Sequence, residues 1–191
     1  MNIKLATDGS CIRNPGPGAF AVVADLNGNQ IYKSLPRPVS TSGEMELRAM
    51  LEALLMSLTY AAFPIAPLSN PFQFAHSELE ITANCRPLTN PQSSCVNPIL
   101  ICSDSEFVVK GINDWMTGWH LNQWHKRPRC HVEIWKRIYT VASLLGNQVD
   151  VQWVRSHQPN GCPLNAKADA CANTAARTKR PTGGPILQLI P

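Results

Sequence analysis

The sequence lacks a long hydrophobic run, which excludes the simplest kind of membrane protein. No stretch of the 191 residues approaches the roughly 18 consecutive apolar residues of a membrane-spanning helix. The first residues, M-N-I-K-L-A-T-D, hold no apolar core of the length found in secretory signals, so we expect a cytoplasmic protein. Charged residues are few, at 16%, and hydrophobic residues make up 44%, as in ordinary globular domains.

The seven cysteines lack the C-x-x-C spacing that marks many zinc and redox sites. An odd number without that spacing favours free thiols in a reducing compartment. The best zinc candidate combines His120, His125, Cys130 and His131. A chance grouping of surface and core residues explains the same spacing.

Hydrophobic patterns predict an α/β domain. Strands are predicted at 2–7, 18–24, 30–35, 99–103 and 149–154. Helices are predicted at about 43–60, 105–116, 132–145 and 164–176. Asn27-Gly28 predicts a hairpin between the second and third strands, because both residues tolerate positive φ. An antiparallel hairpin followed by alternating helices and strands predicts a five-stranded mixed sheet with parallel members, flanked by helices.

Two segments depart from this regular course. Residues 61–98 carry six of the sixteen prolines and little periodicity, so we expect an insertion within a single domain spanning 1–177. Residues 178–191 are predicted to form an extended tail, whose apolar end I-L-Q-L-I is suited to docking. Either segment is a candidate contact for a protein partner, although a tolerated surface expansion is the favoured explanation of the insertion.

Four acids occupy positions where the predicted fold would bring them together. Asp8 ends the first strand, Glu46 lies in the first turn of the first helix, Asp104 ends the fourth strand and Asp169 lies in the last helix. Like charges at short range disfavour ionisation, so converging acids need cations between them. Mg²⁺ prefers oxygen ligands, and two such ions roughly 4 Å apart can assist a phosphodiester displacement. His157, in the loop before the last helix, is suited to carrying a proton.

A basic segment rich in tryptophan follows the second predicted helix. Its members are Lys126, Arg127, Arg129, Lys136 and Arg137, with Trp119, Trp124 and Trp135 beside them. Basic groups neutralise phosphates and indoles supply rigid apolar surface, a combination suited to a nucleic-acid backbone. A solvated helix pair with core tryptophans is the alternative.

Five motifs in order give the chain a clear resemblance to the type 1 ribonuclease H family. They are D-G-S-C-I-R-N-P-G-P-G-A, M-E-L-R-A, S-D-S-E-F-V, V-R-S-H-Q-P-N-G-C and A-D-A-C-A. The resemblance covers nearly all of residues 1–177 apart from the insertion. It implies the ribonuclease H fold and hydrolysis of the RNA strand of an RNA–DNA hybrid, leaving 5′-phosphate and 3′-hydroxyl ends.

The resemblance also implies roles for individual residues. Asp8, Glu46, Asp104 and Asp169 would hold two Mg²⁺ ions, with Mn²⁺ as a substitute, and His157 would assist proton transfer and product release. The implied nucleic-acid contacts are Asn14, Thr41 and Ser42, and, in a basic protrusion, Trp119, Trp124, Lys126, Arg127 and Arg129. We expect a monomer that binds hybrid and no membrane.

The chain departs from the family pattern in two places. It has T-S-G-E at 41–44 where T-N-N or T-N-Q is common, and Glu106 replaces a common Gln. Two rival hypotheses stay open: a module that binds hybrid or duplex RNA without cutting it, and a nuclease or integrase of the same fold that acts on DNA. The four acids argue against the first, and the histidine loop and basic segment argue against the second.

Overall fold

The structure is a computed structural model of the chain. It describes residues 3–62, 98–126, 128, 130–156, 158 and 161–185. Most of the predicted insertion therefore lies outside the described residues. The same is true of three predicted site residues, Arg127, Arg129 and His157.

A six-stranded mixed sheet runs through the molecule. Its strands are β1 (Ile3–Cys11), β2 (Gly16–Leu26), β3 (Asn29–Ser40), β4 (Ile99–Ser103), β5 (Val149–Trp153) and β6 (Thr182–Pro185). Their order across the sheet is β5-β4-β1-β2-β3-β6. The β1–β2–β3 and β3–β6 pairs are antiparallel, while β1–β4 and β4–β5 are parallel. The predicted mixed sheet is confirmed, and β6 adds one strand to the five expected.

The first hairpin is longer than its apolar residues alone predict. β1 and β2 stay in register from Ile3 opposite Leu26 to Cys11 opposite Gly18. Backbone pairing thus carries β1 past Asp8, which lies inside the strand rather than at its end. The Asn27-Gly28 turn is confirmed, since both residues have positive φ, 55° and 92°, and the Asp25 carboxylate accepts the Gly28 N–H at 2.7 Å.

Five α-helices pack on the two faces of the described sheet. They are α1 (Ser42–Ala62), α2 (Glu106–Lys110), α3 (Met116–Leu121), α4 (Val132–Leu145) and α5 (Pro163–Thr178). A π-helical turn, Gly111–Trp115, joins α2 to α3. The predicted helix at 105–116 thus continues to Leu121. The π-helical turn lies close to α4, and this contact requires Gly111, because a Cβ at that position would lie 2.0 Å from the Trp135 ring.

The core forms two layers because neighbouring strand residues point to opposite faces. Leu5 and Ile101 face the side covered by α1 and α4, where Leu47 and Trp135 are fully buried. Ala6 and Val23 face α5, whose small residues Ala168 and Ala172 allow it to lie close to the sheet. Among the described residues, no helix combines the length and apolarity needed to cross a bilayer.

Candidate active site

The parallel pairing of the two central strands places Asp8 beside Asp104. Thr7 of β1 lies opposite Ser103 of β4, so the two acids follow in adjacent positions, as the sequence predicts. The backbone around Asp104 is held from β5: the Trp153 indole N–H donates to the Asp104 carbonyl at 3.0 Å, and the Val154 N–H donates to Ser103 at 2.9 Å. The backbone at the end of β4 is therefore held in place by these two hydrogen bonds.

Gly9 brings the third acid, Glu46, to the same point. A Cβ at Gly9 would lie 2.3 Å from the Glu46 backbone nitrogen and 2.5 Å from the Met45 carbonyl carbon. Because Gly9 lacks a side chain, α1 can cross β1 in direct contact with its backbone. Gly9 therefore serves the contact between strand β1 and helix α1. Since α1 begins at Ser42, Glu46 opens the second turn of the helix.

These three acids form a compact cluster of oxygen ligands. One carboxylate oxygen from each of Asp8, Glu46 and Asp104 lies within 4.8 Å of the others. Glu46 Oε2 is buried and has no hydrogen-bond partner among the described residues. A buried carboxylate oxygen without a donor is costly unless a cation meets it. The donor set, all carboxylate oxygen, suits a hard divalent cation such as Mg²⁺.

Burial and mutual repulsion disfavour ionisation of this cluster in the absence of a cation. Burial, followed by the charges of Asp104 and Asp169, raises the pKa of Asp8 to about 7 from its usual 3.8. Burial also raises the pKa of Glu46 well above its ordinary value, helped by Asp8 and Asp104 and opposed by the Gly9 N–H. Both shifts indicate a site that binds protons when no metal ion is present.

Asp169 lines a small pocket together with Asp104, one of the three clustered acids. The pocket is lined by Asp104, Arg155, Ser156, Gln158, Gly161, Cys162, Asn165, Ala166 and Asp169. Asp169 does not belong to the group of acids whose ligand oxygens all lie within 4.8 Å of one another, but its charge raises the pKa of both Asp8 and Glu46. The structure thus brings three predicted acids together and places the fourth on the facing helix.

Several residues that border this site do not stand out in the sequence. Arg155 is exposed and is the one basic residue among the pocket's described lining residues. The Asn173 side-chain amide donates to Asp169 Oδ1 at 2.6 Å, and the Asn165 amide donates to the Thr7 carbonyl at 3.2 Å. An Asn four residues after an Asp on one helix face was the available clue to the first amide contact.

Three predicted nucleic-acid contacts lie where α1 begins. The Asn14 amide donates to the Ser42 hydroxyl at 3.0 Å. The Thr41 hydroxyl accepts the Glu44 N–H at 3.2 Å, which caps α1. It also lies 3.2 Å from Nε2 of His131, a contact that the sequence analysis missed. These polar groups hold one another in place beside the first turn of α1.

The tryptophans of the basic segment are mainly structural. Trp119 and Trp124 are half-buried against the core, and their ring centroids are 6.4 Å apart. Trp119 also meets the buried Trp135 edge-on at 5.1 Å. Their predicted contact with nucleic acid stays a prediction, whereas Lys126 is exposed.

The zinc hypothesis fails on geometry. Across the described parts of the chain, the three clustered acids are the only group with metal-ligand spacing. The His120 ring instead stacks on Tyr139 at 4.1 Å, and His131 turns to Thr41.

The two departures from the family pattern are accommodated locally. Glu106 forms an exposed ion pair with Lys110 at 2.6 Å, so its charge is balanced on its own helix. Gly43 has no atom within 4 Å of a would-be Cβ. Glu44, the last residue of T-S-G-E, forms an ion pair with Arg48 at 2.8 Å.

Fold and site together define the class of the protein, an α/β enzyme whose clustered carboxylates are arranged for divalent metal. The family model for RNase H matches residues 1–67 and 73–177. The chain is 31% identical over 174 residues to the ribonuclease H of Polaromonas sp. (strain JS666), covering 90% of this chain and 86% of that protein. It is 30% identical over 182 residues to the ribonuclease H of Xanthomonas oryzae pv. oryzae (strain MAFF 311018), covering 94% and 95%. The chain belongs to the ribonuclease H family.

Solved structures agree on the fold. LC9-RNase H1, described as a type 1 RNase H with the type 2 active-site motif, has a TM-score of 0.64 at 19% identity, over 96% of this chain and 75% of that one. LC11-RNase H1, solved in complex with RNA/DNA hybrid, has a TM-score of 0.55 at 16% identity, over 93% and 99%. The predicted family and fold are confirmed, and ribonucleases H are enzymes that cleave RNA in RNA–DNA hybrids.

Proposed function

We propose that this chain hydrolyses the RNA strand of RNA–DNA hybrids by a two-metal-ion mechanism, leaving 5′-phosphate and 3′-hydroxyl ends. The observation that carries the proposal is the cluster of Asp8, Glu46 and Asp104, whose ligand oxygens lie within 4.8 Å of one another. Membership of the ribonuclease H family supplies the substrate class. The products follow if water attacks the phosphorus and the 3′ oxygen leaves.

The described residues suit this chemistry in distinct ways. Two Mg²⁺ ions, or Mn²⁺ ions, would activate the attacking water and stabilise the leaving oxygen. Asp8, Glu46 and Asp104 would hold these ions from the sheet and α1, and Asp169 would hold one from α5. Arg155, exposed at the pocket rim, offers a positive charge to a neighbouring phosphate. His157, in the loop between β5 and α5, would carry a proton and assist product release.

Substrate contacts are proposed on two surfaces. Asn14, Thr41 and Ser42 would bind the nucleic-acid backbone beside the start of α1, where their hydrogen bonds already order them. Lys126, Arg127 and Arg129 would neutralise phosphates along the basic segment. Trp119 and Trp124 would mainly hold that segment against α4, with their exposed edges touching the hybrid.

The organisation of the protein is part of the same proposal. Residues 1–177 would form one catalytic domain, since β1 and α5 contribute to one site. We propose that it acts as a monomer in the cytoplasm, in keeping with free thiols at all five described cysteines. The segment 61–98 or the tail 178–191 would offer the surface for any protein partner.

The decisive experiment measures Mg²⁺-dependent cleavage of an end-labelled RNA–DNA hybrid. We expect the wild type to cut only the RNA strand. Asp104→Asn should lose at least about 100-fold in kcat, because mutating a residue that merely hydrogen-bonds to a metal ligand can already reduce activity by that factor. Asp114→Asn is the matched control, because Asp114 is an exposed acid on the π-helical turn. This variant should cleave the hybrid at the wild-type rate.

Duplex DNA and duplex RNA complete the experiment. Cutting of duplex DNA at a comparable rate would favour a DNA nuclease of the same fold. Metal-independent binding of hybrid without cleavage would replace the proposal by a binding module. Product analysis on the labelled strand checks for the 5′-phosphate.

A further inference from the structure

A chain of side-chain hydrogen bonds joins strand β1 to helix α5 behind Asp169. Asn173 Nδ2 donates to Asp169 Oδ1 at 2.6 Å and lies 3.1 Å from the Asp169 carbonyl oxygen. On its other side, Asn173 Oδ1 accepts the Ser10 hydroxyl at 2.9 Å. Ser10 lies two residues after Asp8 in the same strand. Both ends of this series of hydrogen bonds therefore lie next to candidate metal ligands.

The direction of these hydrogen bonds follows from chemistry. An ionised carboxylate only accepts hydrogen bonds, so the amide must turn its NH₂ group toward Asp169. Its carbonyl oxygen then faces Ser10, which must donate. Both polar ends of Asn173 are thereby satisfied. If the amide were flipped, its carbonyl oxygen would lie 2.6 Å from Asp169 Oδ1, and two acceptors would face each other without a hydrogen between them.

We propose that Asn173 is a positioning residue that orients the Asp169 carboxylate for metal binding and ties its helix to β1. The inference rests on the proposed function of Asp169 as a ligand. Asp169 lies in helix α5, whereas the clustered acids lie on β1, β4 and α1, so its distance from them depends on how α5 docks. The Ser10–Asn173 bond fixes that docking at the site itself. The Asn173–Asp169 bond occupies Oδ1, so that Oδ2 is the oxygen to meet a cation.

This arrangement predicts a specific set of variant properties. Asn173→Ala removes the donor and the link to β1, and Asn173→Asp keeps the size but faces Asp169 with an acceptor. Both variants should lower kcat and raise the Mg²⁺ concentration at half-maximal rate by about 10-fold, while KM for hybrid stays unchanged. Ser10→Ala removes only the link to β1 and should show a smaller change in the same direction.

The test compares these variants with Asn113→Ala. Asn113 is a matched control, because its amide also joins two elements, donating to the Val151 carbonyl at 3.0 Å, but touches no acid. Two readouts are needed: kcat and KM as functions of Mg²⁺ concentration, and the rise in Tm caused by Mn²⁺ alone, which requires no substrate. We expect Asn113→Ala to lower Tm while retaining the wild-type metal dependence of both readouts.

The outcomes separate this inference from the proposed function. A normal metal dependence in both Asn173 variants, with Asp169→Asn impaired, would overturn the positioning role and leave the proposed function standing. A parallel loss in Asn113→Ala and Asn173→Ala would reduce Asn173 to a stability role and also overturn it. If the wild type does not cleave hybrid, the proposed function fails, and the Mn²⁺-induced rise in Tm still decides whether Asn173 supports the metal site.

Discussion

The Asp8 carboxyl group makes the metal-free protein less stable as the pH rises. Its pKa is about 7 in the folded state, raised chiefly by burial, against 3.8 ordinarily. Between these values the folded state holds a proton that the unfolded chain releases, so the contribution of Asp8 is greatest below about pH 4 and is lost as the pH rises to about 7. Asp8→Asn removes this loss and should stabilise the metal-free protein at pH 8, by on the order of 1 to 4 kcal/mol.

Urea unfolding in a chelator from pH 4 to pH 8 measures this effect. The wild-type free energy of unfolding should fall relative to that of Asp8→Asn through this range, while Asp114→Asn follows the wild type. Equal stabilities of wild type and Asp8→Asn at pH 8 would show that the acidic cluster carries no electrostatic strain.

Competition between protons and metal ions at Asp8 and Glu46 predicts a pH-dependent Mg²⁺ requirement. Both groups have raised pKa values because of burial and neighbouring acids. Lowering the pH below about 7 protonates Asp8 and weakens metal binding, which requires the ionised form. The Mg²⁺ concentration at half-maximal rate should therefore rise as the pH falls from 8 to 6, by up to about 10-fold per pH unit.

Saturating Mg²⁺ separates this competition from other titrations. It should largely restore the rate at pH 6 if metal binding is limiting. A loss of rate that saturating Mg²⁺ does not restore would assign the pH dependence to another group.

Residue types and their order were sufficient to predict the acidic cluster, but not the groups that support it. Asp8 and Asp104 follow strands that the apolar pattern identifies, and Glu46 belongs to a helix with clear periodicity. Asn173, Ser10 and Trp153 are ordinary polar or aromatic residues in the sequence. Their importance depends on which side chains face one another across α5, β1 and β5, and that information is tertiary.

The crossing of β1 and α1 depends on a single glycine, Gly9. An added Cβ would lie 2.3 Å from the Glu46 nitrogen and 2.8 Å from the Met45 Cβ, so the helix must move. Because both atoms belong to the rigid start of α1, Gly9→Ala should cost about 2 to 4 kcal/mol in stability. It should also lower kcat at saturating Mg²⁺, since Glu46 moves with its helix.

Gly43→Ala provides the matched control within the same helix. A Cβ at Gly43 has open space within 4 Å, so alanine should leave cleavage unchanged and raise stability by up to about 1 kcal/mol. Thermal unfolding and cleavage kinetics of both variants test this. Normal kcat in Gly9→Ala would show that α1 relaxes without displacing Glu46.

The helices show where local patterns stop being informative. The period of 3.6 residues identified α1, α4 and α5 closely, because each buries one continuous apolar face. It did not reveal the π-helical turn Gly111–Trp115 or the extension to Leu121. That segment is shaped by the contact of Gly111 with Trp135 and by the edge-on contact of Trp119 with Trp135, which join residues distant in sequence.

At the scale of the whole molecule, the candidate active site lies away from one edge of the sheet. The acids lie on β1, α1 and α5 and directly after β4, whereas β6 pairs with the far side of β3, beyond β2. β6 was not predicted as a strand, since T-G-G-P has little strand propensity. It pairs with backbone groups of β3 that would otherwise be exposed at the edge of the sheet.

Deleting residues 182–191 should therefore lower stability without changing the chemistry. The deletion removes the β3–β6 pairing and the 2.7 Å hydrogen bond between the Ser34 and Thr182 hydroxyls. Ser34 is fully buried when β6 is in place, so the deletion removes both its hydrogen-bond partner and its cover, and we expect a loss of about 1 to 3 kcal/mol in the free energy of unfolding. At a temperature where the truncated protein stays folded, kcat and the Mg²⁺ dependence should equal those of the full chain.

Thr182→Val isolates the hydroxyl contact from the strand pairing, because valine keeps the shape of threonine. It should lose only about 1 kcal/mol of the total, an amount typical of one hydrogen bond. Light scattering tests whether the uncovered β3 edge leads to self-association, as an open edge strand predicts. A truncated protein that is folded and monomeric yet cleaves more slowly would contradict the separation of this edge from the site, because it would show that β3 and β2 transmit the loss to β1.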